Sequence, residues 1–121
     1  MKSVAKQGNV AAQTMLGIWY DLGEGVSKDD AKAVYWYTKA AKQGNKKAQT
    51  RLGLKYINGH GVPEYGVCAY AWSSIAAAQG DYLAPKVKEI AAKRMTPAQI
   101  AEGQKLSSEL WEKYVVPFQN E

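Results

Sequence analysis

Small and apolar residues recur at fixed positions along the first two thirds of the chain. Ala12, Leu16 and Tyr20 are spaced four residues apart, which places them on one side of a helix. The same residue types return 36 positions later, at Ala48, Leu52 and Tyr56. Shifted by that period, segment 5–44 is identical to segment 41–80 at 20 of 40 positions. A period of this size predicts a solenoid in which each repeat is a helical unit that buries its apolar face against its neighbours.

Turn residues divide each repeat into two helices. Gly23 and the pair Gly25-Val26 follow the first apolar run, and glycine supplies the left-handed residue that ends a helix. Asp29 then predicts the N-cap of a second helix. We therefore predict two helix pairs, called A1 (Asn9 to about Leu22), B1 (Asp29 to Gln43), A2 (Asn45 to about Asn58) and B2 (about Glu64 to Gln79). Gly17 and Gly53 fall inside A1 and A2, where glycine costs about 1 kcal/mol, so we expect a close helix contact at both.

The ends of the chain depart from this pattern. Segment 5–9 copies segment 41–45, the end of a B helix, so residues 1–7 are predicted to be a partial B helix. The chain thus opens in mid-repeat, and we expect further sequence upstream. Segment 81–95 begins like a third A helix but carries a different apolar stripe, which is typical of a terminal cap. Thr96, Pro97 and Gln99 predict a capping box that starts a last helix, which runs to about residue 114. Segment 117–121 is predicted to be a tail.

The repeated residues are similar to those of the Sel1-like repeat (SLR) family, a branch of the tetratricopeptide superfamily. The resemblance is carried by Ala12-x3-Leu16-Gly17-x2-Tyr20-x2-Gly23-x-Gly25-Val26 and by Asp29-x3-Ala33-x2-Trp36-x3-Ala40-Ala41-x-Gln43-Gly44. Tyr65 and Gly66 replace the usual aspartate cap and aromatic residue in the second copy. The resemblance implies an all-α, right-handed solenoid of antiparallel helix pairs. It would form one domain over residues 1–116, with repeats at about 9–44 and 45–80, an N-terminal half repeat, and C-terminal capping helices at about 81–95 and 97–114. It also implies adaptor or scaffold roles in bacteria.

A binding groove is predicted on the side of the A helices opposite Ala12, Leu16 and Tyr20. Residues on that side differ between the two copies, as expected of positions that suit a partner rather than a neighbouring repeat. The candidate protein-binding residues are Met15, Ile18, Trp19, Leu22, Lys47, Thr50, Arg51, Leu54 and Lys55. An apolar half thus lies beside a basic half, in which the three cations form one ridge. This combination suits a protein or peptide with an apolar anchor and acidic groups.

Charge is distributed unevenly along the chain. Residues 1–55 carry a net charge of +6 and residues 56–121 a net charge of −1. A solvated face and an acidic protein partner both explain this basic half. We expect no nucleic-acid partner, because the sequence has no motif that reads nucleic acid.

The sequence offers little for catalysis. His60 is the only histidine and is predicted to lie in an exposed turn, and Cys68 is the only cysteine and is predicted to be a small core or edge residue. We therefore predict a non-enzymatic interaction module with no catalytic residues, metal or cofactor. The alternatives are an immunity or inhibitor protein for one enzyme or toxin and, less favoured, a hydrolase acting on cell-wall or β-lactam-like substrates.

Two features of the sequence bear on the cellular compartment. No apolar run approaches the roughly 20 residues of a membrane span, and no signal peptide follows the first residue. This favours the cytoplasm for the sequence as written, and the periplasm if upstream sequence exists.

Overall fold

The computed structural model describes residues 2–119, with the side chains of residues 3 and 4 left out, and these residues form helices and turns only. The elements are α1 (Lys2–Lys6), α2 (Val10–Leu22), α3 (Asp30–Ala41), α4 (Lys46–Asn58), α5 (Gly66–Ala78), α6 (Ala84–Lys93), α7 (Pro97–Tyr114) and a 3-10 turn (Val116–Phe118). Helices α2 and α3 make up the first unit, and α4 and α5 make up the second. The predicted all-helical class is confirmed, and the helices of both units lie where the repeat places them.

The caps explain why the helices begin and end where they do. Asn9 and Asn45 each accept a hydrogen bond from the backbone N–H three residues on, at the starts of α2 and α4. Gly23 and Gly59 end these helices with φ of 73° and 67°, a conformation that favours glycine. Asp29 caps α3 as predicted, with its carboxylate 3.1 Å from the backbone nitrogen of Lys32. The capping box of Thr96 and Gln99 is present at the start of α7.

Two helices begin later than the sequence predicts. Helix α5 begins at Gly66, after Tyr65, whose side chain makes no capping hydrogen bond. Helix α6 begins at Ala84 rather than near residue 81, because the Asp81 carboxylate accepts hydrogen bonds from the backbone N–H groups of Leu83 and Ala84. Such a bonded carboxylate holds the chain in a turn before the helix begins.

The expected close contact at Gly17 is present inside the first unit. A side chain at this position would overlap the ring of Tyr37, which is fully buried between α2 and α3. Gly53 is less crowded, since a Cβ there would lie 3.3 Å from the backbone oxygen of Ala69. The equivalent glycines therefore lie in a closer helix–helix contact in the first pair than in the second.

A chain of glutamine side chains links the units at each tight turn. Gln13 donates to the backbone oxygen of Ala5 over 3.0 Å, and Gln43 donates to the side-chain oxygen of Gln13 over 2.7 Å. The same two bonds recur 36 residues later, and they involve Gln49, Ala41 and Gln79. Because Gln13 and Gln49 are buried, these bonds satisfy amides that would otherwise be costly to bury.

Helix α7 runs over the outer side of α5. Gly103 allows this approach, since a Cβ there would lie 2.7 Å from the ring of Tyr70. Leu110 and the 2%-exposed Val115 join the main core, and Tyr114 stacks on Trp72 at 6.0 Å between ring centroids. The chain then turns back, so that Phe118 reaches Gly44. Residues 120 and 121 of the predicted tail, like residue 1 of the predicted N-terminal remnant, lie outside the described residues.

Candidate protein-binding surface

The nine predicted site residues separate into three levels of exposure. Met15 is 42% exposed and Leu22 57% exposed, and Lys47 also faces solvent. Ile18, Trp19, Arg51 and Leu54 are half-buried. Thr50 and Lys55 are buried. The first two groups give an accessible surface on α2 and α4, whereas the last two residues make contacts inside the chain.

Lys55 is not part of a solvated basic ridge, which corrects the sequence prediction. It is 6% exposed, and its ammonium group donates to carboxylate oxygens of Asp21 and, over 2.8 Å, of Asp30. Tyr37 donates its hydroxyl to the other oxygen of Asp21 over 3.0 Å. These four residues, Asp21, Asp30, Tyr37 and Lys55, form a polar cluster between the first and second units, which we call the first junction.

The electrostatics of the first junction follow from burial and proximity. Lys55, and to a smaller extent Lys28, holds the pKa of Asp30 below its ordinary value. Burial opposes the charge on Lys55, but hydrogen bonds to Asp21 and Asp30 outweigh it and raise the pKa of Lys55. Burial and the neighbouring Asp21 carboxylate raise the pKa of Tyr37 well above its ordinary value. The charged forms of Asp30 and Lys55 and the neutral form of Tyr37 are therefore the stable ones near neutral pH.

Thr50 also makes its contacts within the chain. Its hydroxyl donates to the Asp81 carboxylate over 2.8 Å, which ties α4 to the turn before α6. Like Lys55, it offers little surface to a partner.

An open cleft of about 200 Å³ lies between α4 and the turn that precedes α6. Lys47 and Arg51 supply its cationic side, and no carboxylate lies within salt-bridge distance of either group among the described residues. Tyr82 stands at its edge with 92% of its surface exposed, and Leu83 adds an apolar wall. Asp81 also lines the cleft, but its carboxylate accepts hydrogen bonds from Thr50 and from the backbone of Leu83 and Ala84. The cleft thus offers two cations beside an aromatic ring and an engaged carboxylate.

Tyr82 was not among the sequence-predicted site residues. It lies beyond the second repeat, where comparison of the two copies gives no signal. Its neighbour Asp81 does show a signal, because it occupies the position of the capping residues Asn9 and Asn45. That register would have marked Tyr82 as the residue that follows a capping side chain.

His60 and Cys68 lie as the sequence predicts. His60 is exposed in the turn after α4, and Cys68 is half-buried against the main core, where burial raises the pKa of its thiol. Within residues 2–119, no group of three or more histidine, cysteine, aspartate or glutamate side chains is arranged to hold a metal ion. Across the same residues, every helix is too short or too polar to cross a bilayer.

Comparison with known proteins identifies the family. The Sel1 repeat model matches residues 10–45 and 46–81. The chain belongs to the Sel1 repeat family. The resemblance drawn from the repeated residues is thereby confirmed, and so is the helical solenoid. The Sel1 fold is typically a non-catalytic scaffold for protein–protein interaction.

Two solved Sel1-type structures are similar to this chain. One is c5321, described as a protective antigen present in uropathogenic Escherichia coli strains and displaying an SLR fold; it has 35% identity and a TM-score of 0.92 over 98% of this chain. The other is a Sel1 repeat protein from Oxalobacter formigenes, with 41% identity and a TM-score of 0.66 over 68% of this chain. This Sel1 chain spans about a quarter of the length of each, 26% and 24% respectively. No curated protein matches its sequence.

Proposed function

We propose that this Sel1 domain is a non-enzymatic adaptor that binds a protein segment on the exposed surface of α2 and α4. The segment carries an apolar anchor and an acidic group. The observation that supports this most directly is the cleft beside Lys47 and Arg51, where two cations lie next to the exposed ring of Tyr82 and, within the part of the chain that the structure describes, form no salt bridge. An acidic side chain or a terminal carboxylate satisfies both cations, and an adjacent apolar residue packs on the ring.

The surface that receives the partner's apolar anchor is assigned to α2. Met15 and Leu22 are the exposed apolar side chains of that helix, and Ile18 and Trp19 lie half-buried beside them. Met15 occupies in the first unit the position that Arg51 occupies in the second. The apolar and cationic parts are thus at corresponding positions on adjacent A helices, so one extended or helical segment reaches both.

Capture from the native organism tests the proposal. The wild-type domain, a Met15→Asp/Lys47→Glu variant and an Ala98→Asp/Lys105→Glu control are each used as bait, and retained proteins are identified by mass spectrometry. The control makes the same charge change at exposed positions of α7. We expect the first variant to bind the identified partner at least about tenfold more weakly, and the control to bind it like the wild type. Circular dichroism checks that both variants keep their helices.

Two results would contradict this proposal. If both variants bind the partner with wild-type affinity, the surface of α2 and α4 is not the site. If the pure protein turns over a cell-wall or β-lactam substrate, the non-enzymatic assignment is wrong.

A further inference from the structure

The outer side of α3 carries a row of exposed lysines around a tyrosine. Lys32, Tyr35, Lys39 and Lys42 are spaced by three, four and three residues, so they share one side of the helix. All four are exposed, and Tyr35 exposes 54% of its surface. The corresponding positions of α5, 36 residues later, are all small or apolar: Cys68, Ala71, Ile75 and Ala78.

On α5 the corresponding side is covered by another helix, α7. Ala71 and Ile75 are almost completely buried in the core cluster to which Leu106, Leu110 and Trp111 of α7 belong. The two helices run in the same direction. Tyr65, just before α5, donates a hydrogen bond to Glu102 near the start of α7, whereas Ile75 and Ala78 line one cleft with Trp111 near its end. The same register position in the second unit therefore accepts a parallel helix.

On α3 the corresponding side is exposed to solvent and positively charged. Among the described residues, Lys32, Lys39 and Lys42 have no carboxylate within 4 Å. Their ammonium groups lie over tyrosine rings instead, at 5.1 to 5.9 Å from the ring centroids. Lys2 joins them from α1, since it shares the ring of Tyr20 with Lys32.

The nearby carboxylates are otherwise engaged or lie at the edge. Asp29 caps α3, and Asp30 is held by Lys28 and Lys55. Lys42 lies over the ring of Tyr114, and the last turns of α7 there carry Lys113 and the exposed Glu109 and Glu112. The positive surface is therefore centred on α3 and is bounded where α7 ends.

We propose that this surface, Lys2, Lys32, Tyr35, Lys39 and Lys42, binds an acidic amphipathic helix of a partner protein, seated along α3 as α7 is seated along α5. Charge complementarity selects an acidic partner, and continuity with the α5–α7 contact selects a helix. Lys32 to Lys42 spans ten residues, or about 15 Å, so about three turns of partner helix cover it. Carboxylates seven residues apart on that helix meet Lys32 and Lys39. This surface is separate from the cleft at Lys47 and does not depend on the function proposed there.

A designed peptide tests the proposal with the intact protein. The probe is a fluorescein-labelled helical peptide of about 16 residues with glutamates at positions i, i+3, i+7 and i+10 and leucines beside them. A second peptide has the same composition but spreads its glutamates around the helix. We expect the first peptide to bind at low salt, as measured by fluorescence anisotropy, and amide shifts in nuclear magnetic resonance spectra to map to residues 30–42.

Substitutions then separate this surface from general attraction to a basic protein. Lys32→Glu/Lys39→Glu should weaken peptide binding at least about tenfold, since two ion pairs are lost and the reversed charges repel the glutamates of the peptide. Lys86→Glu/Lys105→Glu changes the net charge equally at exposed sites elsewhere and should leave binding within about twofold of the wild type. Lys32→Ala/Lys39→Ala, which preserves helix propensity, should have an intermediate effect.

Three outcomes would overturn the proposal. One is equal binding of both peptides, and another is equal weakening by the two glutamate pairs. The third is binding of phosphatidylserine vesicles or a DNA duplex, but not of the helical peptide, through the same lysines; this would assign the surface to a membrane or to nucleic acid.

Discussion

The two junctions of the solenoid are built at the same register positions from opposite chemistry. The first junction contains Asp21, Asp30, Tyr37 and Lys55. The second junction, between the second unit and α6, has Ile57, Gly66, Ser73 and Ala91 at the positions 36 residues later. There Ile57 and Ala91 join Val87 in a separate apolar cluster. Corresponding positions therefore form one junction with bonded charges and the other with apolar contact.

This difference indicates what each junction tolerates. A buried ion pair gains little net stability over well-packed apolar residues, yet the loss of one partner leaves an uncompensated charge. When a side chain in an apolar junction is shortened, stability falls only by the lost transfer free energy of the removed atoms and by the cost of the cavity they leave. We therefore expect the first junction to be more sensitive to single-partner changes and the second to be more sensitive to changes in volume.

The largest expected effect comes from leaving Lys55 without both carboxylates. Asp21→Ala/Asp30→Ala should lower the free energy of unfolding by about 3 kcal/mol, at the lower end of the range for a broken buried pair because Asp30 is partly exposed. Urea unfolding followed by circular dichroism measures the change. The matched triple variant Asp21→Leu/Tyr37→Phe/Lys55→Met removes the polar groups of the first junction other than Asp30, which keeps its ion pair with Lys28, and should stay within about 1 kcal/mol of the wild type. Equal losses in the two variants would mean that packing, rather than charge, holds this junction.

Next in size is the comparison of Gly17→Ala with Gly53→Ala. The first substitution overlaps the buried Tyr37 ring and should cost about 1–3 kcal/mol even though alanine favours the helix. The second meets one backbone oxygen at 3.3 Å, so a helix-propensity gain of about 1 kcal/mol should offset most of its cost. Thermal unfolding of both variants gives the difference. A similar loss of stability in both would refute the assignment of Tyr37 as the cause.

A smaller effect is expected from pH. The pKa of Asp30 is lowered in the folded state, so its contribution is present above its ordinary pKa of 3.8 and is lost as pH falls below that value. The pKa of Tyr37 is raised, so stability is full below its ordinary pKa of 10.0 and falls as pH rises above it. The pKa of Lys55 is also raised, so its contribution to stability is likewise lost as pH rises above the ordinary pKa of 10.5. Melting temperatures recorded from pH 2 to 11 should show both losses, with the alkaline loss reduced in the triple variant, which lacks Tyr37 and Lys55.

The smallest expected effect concerns the start of α5. Tyr65 has nearly the same backbone angles as Asp29, with φ of −151° against −150°, but it makes no capping bond. Tyr65→Asp should therefore stabilise the protein by about 0.5–1 kcal/mol, even though the bond to Glu102 is lost. Asp29→Ala is the matched test in the first unit and should cost about 1 kcal/mol. If Tyr65→Asp destabilises the protein, the contact with α7 matters more than the cap.

Much of the fold follows from local sequence. The helix caps act within a few residues of themselves, and each type of cap occurs in both units. They are Asn9 and Gly23 for α2 and Asn45 and Gly59 for α4. The position of α7 over α5 is not local, since it depends on Gly103 meeting Tyr70. Helical periodicity indicates which side of α7 is apolar but not which helix covers it.

The candidate site was predicted less well for the same reason. A helical projection places Lys55 opposite the packing side of α4, but its carboxylate partners lie 34 and 25 residues earlier in the chain. Positions that differ between the two repeats include residues that could bind a partner and residues that pack at a junction. The second kind differ because each junction has its own chemistry. The packing of the second unit against the first buries Lys55 and leaves Met15 and Lys47 exposed, and no local pattern in the sequence distinguishes them.

The buried glutamines have a consequence for how this chain tolerates insertions and deletions. Gln13 bonds a carbonyl eight residues earlier and receives a bond from a side chain 30 residues later, and Gln49 does the same. One residue added between 5 and 13 would rotate the amide of Gln13 away from both neighbours. We expect sequences of this kind to vary in length at the exposed turns around residues 24 and 60 and to keep a constant number of residues between Ala5 and Gln13 and between Ala41 and Gln49.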